Sequence, residues 1–123
     1  MSTPVHPQTA FRGVFTIPCT PFTEVGALDE ESLRREVEFC LACGAHGIVA
    51  PVNASEFTTL SDDERRRVVE VVVRTAAGRA PVVAGVSAVS AEVAAMFARH
   101  AADTGADALI AMPPYLGKSA PDQ

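Results

Sequence analysis

The sequence predicts an α/β fold in which parallel strands alternate with helices, and two observations support this prediction. First, short apolar runs typical of buried strands alternate with longer segments whose apolar residues recur at helical spacing. Second, three junctions share one pattern, in which a helical segment ends at a glycine and a tight turn leads into an apolar run. These glycines are Gly44, Gly78 and Gly105. A helix followed by an apolar strand, repeated along the chain, is typical of parallel βαβ units.

The predicted strands are four short runs that are apolar on both faces, as expected of parallel strands that helices cover. They are β1 (13–20), β2 (47–52), β3 (81–86) and β4 (107–112). Three helical segments lie between them, α1 (29–44), α2 (61–78) and α3 (90–105). The predicted order is therefore β1-α1-β2-α2-β3-α3-β4.

Each predicted helix has its own start signal. Asp29 is a good N-cap for α1, and Glu30 follows in the first turn, where the helix dipole favours negative charge. Ser61 and Glu64 form a capping box at the start of α2, and Ser90 begins α3. The valine-rich body of α2 has the composition of a strand, but its length, the capping box and the closing glycine favour a helix.

Two parallel architectures fit this order of elements. An open doubly wound sheet, such as a flavodoxin-like domain, usually has a glycine-rich phosphate turn after its first strand, and none is present. A (β/α)8 barrel instead carries its ligand groups at the carboxyl ends of successive strands. The carboxyl ends of the predicted strands do hold polar side chains, at Thr20, at Asn53, Ser55 and Glu56, at Ser87 and at Tyr115. The sequence thus favours a partial (β/α)8 TIM barrel with parallel strands in sequential order.

Composition and charge limit the class of protein. Hydrophobic residues make up 48% and charged residues 20% of the 123 residues, which is ordinary for a globular domain. The net charge of −5 argues against binding to nucleic acid or to anionic membranes. No apolar run is long enough for a signal peptide or a membrane span, so we expect a cytoplasmic protein. We expect a loose leader (1–11), one partial domain (12–116) and a tail (117–123).

The cysteines do not indicate a metal or redox centre. Cys40 and Cys43 have C-x-x-C spacing, but they lie at the end of α1, whereas a redox pair lies at the start of a helix. Zinc would need two more ligands, and the three histidines show no paired spacing. We therefore expect buried or half-buried free thiols, and no metal or other cofactor.

Four motifs in sequence order carry a family resemblance. They are Thr20-Pro21-Phe22 with 26–29; Glu56 and Leu60 with 61–65; 81–86; and Pro113-Pro114-Tyr115. From about Arg12 onward the chain resembles the N-terminal half of the dihydrodipicolinate synthase / N-acetylneuraminate lyase family, which are class I aldolases with a TIM-barrel fold.

The resemblance implies a lyase or aldolase that acts on pyruvate or another 2-keto acid through a Schiff base. It places the Schiff-base lysine on the sixth strand and a proton-carrying tyrosine on the fifth, both beyond Gln123. The single lysine, Lys118, follows β4 in the tail, where we expect a solvated charge. The resemblance also implies a homo-oligomer for a full-length form.

The loop after β2 is the expected carboxylate-binding segment. In the family this loop usually reads Gly-Thr-Thr-Gly-Glu, and the aligned residues here are Val52-Asn53-Ala54-Ser55-Glu56. Asn53 and Ala54 replace the two threonines, so two hydroxyl donors are lost. The resemblance implies that the Asn53 amide, the Ser55 hydroxyl and nearby backbone N–H groups hold the acid. An ordinary polar loop is the alternative.

Other positions also match the family pattern. Thr20 matches a threonine near the floor of the active site, and a strand-end cap for Pro21 is the alternative. Tyr115 matches the first of two adjacent tyrosines, whereas Leu116 stands at the second and cannot carry a proton. For Glu56 we expect a structural hydrogen bond. His46 and His100 are expected to be structural.

Three functions remain open from the sequence. The first is an N-terminal portion of a keto-acid lyase. The second is a non-catalytic half-barrel that binds or assembles, since four parallel strands leave two open edges for another copy or for a separate C-terminal half. The third is an inactive truncated gene product.

Overall fold

Four parallel strands and three α-helices alternate along the part of the chain that the computed structural model describes, residues 11–114. The strands are β1 (Phe15–Thr16), β2 (Gly47–Ala50), β3 (Val82–Gly85) and β4 (Ala108–Ile110). The helices are α1 (Glu30–Ala42), α2 (Asp62–Ala76) and α3 (Ala91–Thr104). Two 3-10 turns, Asn53–Ser55 and Phe57–Thr59, follow β2. Most of the predicted leader and all of the predicted tail lie outside the described residues.

The strands form one parallel sheet in the order β1-β2-β3-β4. Helix α1 packs against α2, and α2 packs against α3, so the three helices cover one face of the sheet. This arrangement confirms the predicted partial barrel, since a doubly wound sheet has helices on both faces. The opposite face is called the inner face below.

All four strands are shorter than predicted. The sequence predicts β1 over 13–20, but only two residues pair with β2. Two prolines contribute, because Pro18 and Pro51 follow β1 and β2 closely and have no N–H group to donate to a neighbouring strand. An apolar run therefore overstates the length of a strand when its last residues turn toward the neighbouring loop.

The helices begin where the sequence predicts. Asp29 accepts a hydrogen bond from the Ser32 N–H at 3.0 Å. Both bonds of the capping box are present, from the Glu64 N–H to Ser61 at 3.2 Å and from the Ser61 N–H to Glu64 at 2.8 Å. The end of α2 differs slightly from the prediction, because Ala77, one residue before the expected glycine, already adopts a left-handed conformation.

The hydrophobic core lies between the sheet and the helices. Side chains of β2 and β3 that point to the helices pack against residues of α1 and α2. The core members are Leu33, Val37, Ile48, Ala50, Leu60, Val68, Val71, Val72, Ala76 and Val82. Strand β4 is apolar but sits at the sheet edge, and Leu109 and Ile110 are 47% and 40% exposed. Burial of the strands therefore falls toward the edge of the sheet.

The three cysteines are free. Cys40 is half-buried, as predicted, but Cys19 and Cys43 are exposed, which corrects the prediction for those two thiols. Cys43 is exposed because it caps the end of α1. Cys19 is exposed because it lies between buried Pro18 and Thr20, and alternate residues of extended chain point to opposite sides. Within residues 11–114, no helix is long and apolar enough to cross a membrane.

Candidate functional site

Two buried hydroxyl groups join the exit of β1 to the loop after β2. Ser55 Oγ donates to the carbonyl oxygen of Pro18 at 2.9 Å, and Thr20 Oγ1 donates to the carbonyl oxygen of Ser55 at 2.5 Å. Ser55 is 1% exposed and Thr20 is 6% exposed. These two hydrogen bonds, called the β1–β2 clasp below, bring together two of the residues that the sequence assigns to the site.

The loop after β2 consists of two short turns joined at one left-handed residue. The turn Asn53–Ser55 ends at Glu56, whose φ of +58° is in the left-handed region, and the turn Phe57–Thr59 follows. The backbone of Glu56 donates to Asn53 O and accepts from the Thr59 hydroxyl. Its carboxylate is exposed and makes no hydrogen bond to any of residues 11–114, so the expected side-chain role stays a prediction.

Asn53 and Ala54 lie at the exposed rim of the loop, directly before buried Ser55. They are the first two residues of a 3-10 turn, and the first N–H groups of such a turn have no acceptor within it. The rim of the loop thus consists of an amide side chain and backbone N–H groups, while the hydroxyl of Ser55 is turned inward.

Residues at or just after the carboxyl ends of β2, β3 and β4 contact one another next to this loop. The Pro51 carbonyl oxygen lies directly over Gly85, so closely that a Cβ atom on Gly85 would be 1.8 Å from it. Ser87 is buried, and its Oγ accepts a hydrogen bond from the Met112 N–H at 2.8 Å. All four strand exits therefore share one end of the sheet, as a barrel site requires.

A buried arginine lies beneath the second turn of the loop. The guanidinium carbon of Arg65 is 3.9 Å from the centre of the Phe97 ring and 5.0 Å from that of Phe57. Its Nη2 donates to Gly85 O at 3.4 Å. Burial lowers the pKa of Arg65, and the nearby Asp62 carboxylate partly opposes this shift. Arg65 thus links α2 to the loop, to β3 and to α3.

Arg65 also lines a cavity of about 570 Å³ behind the loop, next to Ser87, Val93 and Pro113. The sequence indicates Arg65 only as part of a family motif and does not reveal this environment. The sequence signal for this burial is weak. Arg65 lies three and seven residues before the apolar core residues Val68 and Val72, so it shares their face of α2.

The two histidines considered in the sequence make hydrogen bonds away from the loop after β2. His46 Nδ1 accepts from the Val14 N–H at 3.0 Å, at the opposite end of the sheet. His100 contacts Glu70 at 3.0 Å between α3 and α2. Within the described part of the chain, no group of three or more His, Cys, Asp or Glu side chains is placed to hold a metal ion. Tyr115 and Lys118 lie outside the described residues.

Sequence comparison agrees with the resemblance. The profile of the Dihydrodipicolinate synthetase family matches residues 10–123. The 4-hydroxy-tetrahydrodipicolinate synthase of Agrobacterium fabrum is 41% identical over 108 residues, which are 88% of this chain and 37% of that protein. That of Rhodopseudomonas palustris is 45% identical over 109 residues, which are 89% and 36%. The chain spans less than two fifths of the length of these curated relatives.

Comparison with solved structures gives the same result. Dihydrodipicolinate synthase from Acinetobacter baumannii, solved as a complex with pyruvate, matches with a TM-score of 0.84 and 34% identity. The match covers 88% of this chain and 37% of that one. A prophage protein of the same family from E. coli K12, also in complex with pyruvate, matches with a TM-score of 0.86 and 25% identity, over 89% and 37%.

Proposed function

Because the chain belongs to the dihydrodipicolinate synthetase family, we propose that it forms the carboxylate-binding side of a lyase site for pyruvate or another 2-keto acid. The observation that carries this proposal is the β1–β2 clasp, which fixes a loop with exposed amide donors at the carboxyl end of the sheet. Two structural relatives were solved with pyruvate, a small acid of this class.

The reaction needs a Schiff base between a lysine and the keto group of the acid. The lysine amine adds to the carbonyl carbon and water leaves, and the resulting iminium draws electrons from the neighbouring carbon–carbon bond. The resemblance assigns this lysine and the proton-carrying tyrosine to strands six and five, which are not among the four strands described here. We infer that these 123 residues contribute binding of the acid and do not form the Schiff base by themselves.

The loop residues differ from the usual family pattern, and this bears on the substrate. Asn53 and Ala54 replace two threonines, so the rim offers amide groups in place of two hydroxyls. Amide N–H groups are good donors to a carboxylate, so a 2-keto acid still fits. The change leads us to favour a lyase or aldolase other than a housekeeping synthase, still acting on pyruvate or another 2-keto acid, with Tyr115 as a further contact of the acid.

Borohydride trapping with pyruvate tests the proposed function. We would compare the 123-residue chain with a hybrid in which residues 1–116 replace the corresponding part of the Agrobacterium fabrum relative. Borohydride reduces a Schiff base to a stable amine, so mass spectrometry detects one reduced pyruvate per chain. We expect an adduct in the hybrid, on the lysine from the relative, and none in the 123-residue chain.

Methyl pyruvate is the matched control for the carboxylate, because it keeps the ketone but lacks the negative charge. We expect at least about tenfold weaker trapping with the ester, since a charge-assisted hydrogen bond to the carboxylate is lost. An adduct on Lys118, or equal trapping of acid and ester by a folded hybrid, would contradict the proposal.

The exposed sheet edges favour a second candidate, a half-barrel that pairs with a separate C-terminal half. Val14 and Ile17 beside β1 are 64% and 43% exposed. In an eight-stranded barrel, strands of the other half would pair with such an edge and cover it. Co-expression with the C-terminal part of the Agrobacterium fabrum relative as a separate chain tests this candidate. Co-purification of the two chains in equal amounts is the expected result, and purification of each alone would rule it out.

A further inference from the structure

The hydroxyl protons of Thr20 and Ser55 are already used within the protein. A hydroxyl group has one proton to donate, and each of these donates to a backbone carbonyl. Both side chains are more than nine-tenths buried, so water cannot replace these carbonyl partners without opening the loop. Neither hydroxyl can therefore donate to a bound carboxylate while the clasp is closed.

The clasp holds Ser55 from two sides. Its hydroxyl donates a hydrogen bond to the Pro18 carbonyl, and its own carbonyl oxygen accepts one from the Thr20 hydroxyl. The segment after β1 therefore makes two hydrogen bonds to one residue of the β2 loop. Ser55 is the last residue of the turn Asn53–Ser55. Fixing the end of a three-residue turn fixes the direction of the N–H groups at its start, because short turns have few alternative conformations.

The side-chain half of the clasp departs from the usual family pattern. The resemblance places glycine at the position of Ser55, and glycine has no side chain that could reach Pro18. The same loop lacks the two threonine hydroxyls of the family pattern and depends on amide groups. Binding through backbone amides requires an accurately placed backbone, since these donors cannot rotate toward the ligand as side chains do.

We propose that Thr20 and Ser55 are positioning residues, which lock the β2 loop so that Asn53 and Ala54 direct their amide donors toward the carboxylate of the 2-keto acid. The part of this inference that concerns the keto acid rests on the proposed function. The part that concerns locking of the loop does not, because the clasp holds the loop whether or not a keto acid binds. The two halves are therefore tested by separate measurements.

Amide hydrogen exchange tests whether the clasp holds the loop. The variants are Thr20→Val and Ser55→Ala, with Thr20→Ser as the conservative rescue and Ser55→Gly as the residue of the family pattern. Thr59→Val is the matched control, because it also removes a hydroxyl bond to a loop carbonyl but leaves the clasp intact. Exchange is followed in the 123-residue chain and in the hybrid.

In peptides covering 52–60 we expect exchange to be about tenfold faster in Thr20→Val and Ser55→Ala than in the parent, because each loses one buried hydrogen bond. Thr20→Ser should exchange like the parent, and Thr59→Val should change by less than about twofold. Equal exchange in the parent and all five variants would overturn the inference. So would faster exchange across the whole sheet, which would indicate a general loss of stability.

Trapping in the hybrid tests the link to the keto acid. We expect the pyruvate concentration for half-maximal trapping to rise about tenfold in Thr20→Val and Ser55→Ala, while the trapping rate at saturation stays within about twofold of the parent. Thr20→Ser should restore the parent concentration. A lower saturated rate with unchanged half-maximal concentration would contradict the positioning role. Failure of the parent hybrid to trap pyruvate would instead refute the proposed function, and the exchange result would still stand.

Discussion

At the scale of single residues, Gly85 shows how closely the candidate site is packed. The carbonyl oxygen of Pro51 occupies the space that a Cβ atom on Gly85 would need, at 1.8 Å, and the carbonyl carbon is 2.8 Å away. Both atoms belong to the backbone, so no side-chain rotation can relieve the contact. The loop after β2 can lie on β3 only because residue 85 is glycine.

We predict that Gly85→Ala lowers the free energy of unfolding by about 3 kcal/mol, because it overpacks a buried backbone contact. Gly26→Ala is the matched control: φ at Gly26 is +81° but no atom lies within 4 Å of the added methyl group. The control should cost only about 1 kcal/mol, from backbone conformation alone. Urea denaturation of both variants measures the difference, and equal costs would show that the loop can move away from β3.

Arg65 shows what a single position in the sequence does not reveal. Its neighbours Asp62, Asp63 and Glu64 make the start of α2 look like an exposed, charged turn. In the structure its guanidinium lies between two aromatic rings, where it is 6% exposed. The rings come from Phe57 and Phe97, which are far apart in the chain, so local spacing could not predict the contact.

At the scale of elements, a chain of charged and polar side chains connects the three helices. Arg67 of α2 donates to both carboxylate oxygens of Glu30 of α1, at 2.5 and 2.8 Å, and to Glu70 at 2.8 Å. Glu70 in turn contacts His100 of α3 at 3.0 Å. A second bridge joins Arg79, after α2, to Glu38 of α1. These contacts fix how neighbouring helices lie against one another on the sheet.

The glutamates of this network give stability a predictable dependence on pH. The hydrogen bond to Arg67 lowers the pKa of Glu30, and bonds to Arg67 and then His100 lower the pKa of Glu70. A carboxyl group whose pKa is lowered by folding stabilises the protein above its unfolded pKa. That contribution is lost as the pH falls through the lower, folded pKa.

We predict that Glu30→Gln and Glu70→Gln lower the melting temperature at pH 7 by an amount on the order of a few degrees. The effect is small because Arg67 and Glu30 are 38% and 40% exposed and solvent screens their attraction. The difference from the parent should shrink below pH 4.5, the ordinary glutamate value, as the parent carboxylates become protonated.

Glu24→Gln is the control for these variants, because Glu24 is exposed and forms no ion pair with any of residues 11–114. Thermal melts of the parent and the three variants at several pH values give the comparison. A constant difference from pH 7 to pH 3 would show that the ion pairs do not cause the effect.

At the scale of the whole molecule, the sheet has two open edges and an inner face without a covering layer among the described residues. The residues next to these edges include the exposed apolar side chains Val14, Ile17, Leu109 and Ile110. Unpaired edges and exposed apolar side chains both favour association. The 123 residues alone should therefore self-associate.

We predict that Ile110→Lys weakens self-association of the 123-residue chain by about tenfold, because two charged edges repel each other. Val25→Lys is the control, since Val25 is 89% exposed in the loop before α1, away from β4. Light scattering coupled to size-exclusion chromatography, over a range of concentrations, measures the effect. A parent chain that stays monomeric throughout would contradict the prediction.

The sequence alone determined the elements, their order and the family. Capping by Asp29, Ser61 and Ser90 and the glycines at the helix ends are local signals, since each depends on residues within one turn of the chain. Alternation of helices with apolar strands then limits the topology, because right-handed crossovers favour sequential parallel strands. For these features, spacing along the chain carries the physical information.

Only the tertiary structure decided the strand lengths and the partners of the buried polar groups. Ser55 donates to Pro18 across 37 residues, and Thr20 donates to Ser55 across 35. The sequence leaves both hydroxyls open between contact with the ligand and a structural hydrogen bond, because a hydroxyl beside a strand end can serve either a ligand or the backbone. Whether a ligand or a backbone carbonyl accepts the hydrogen bond depends on distances between segments that are far apart in the chain. The local sequence does not contain those distances.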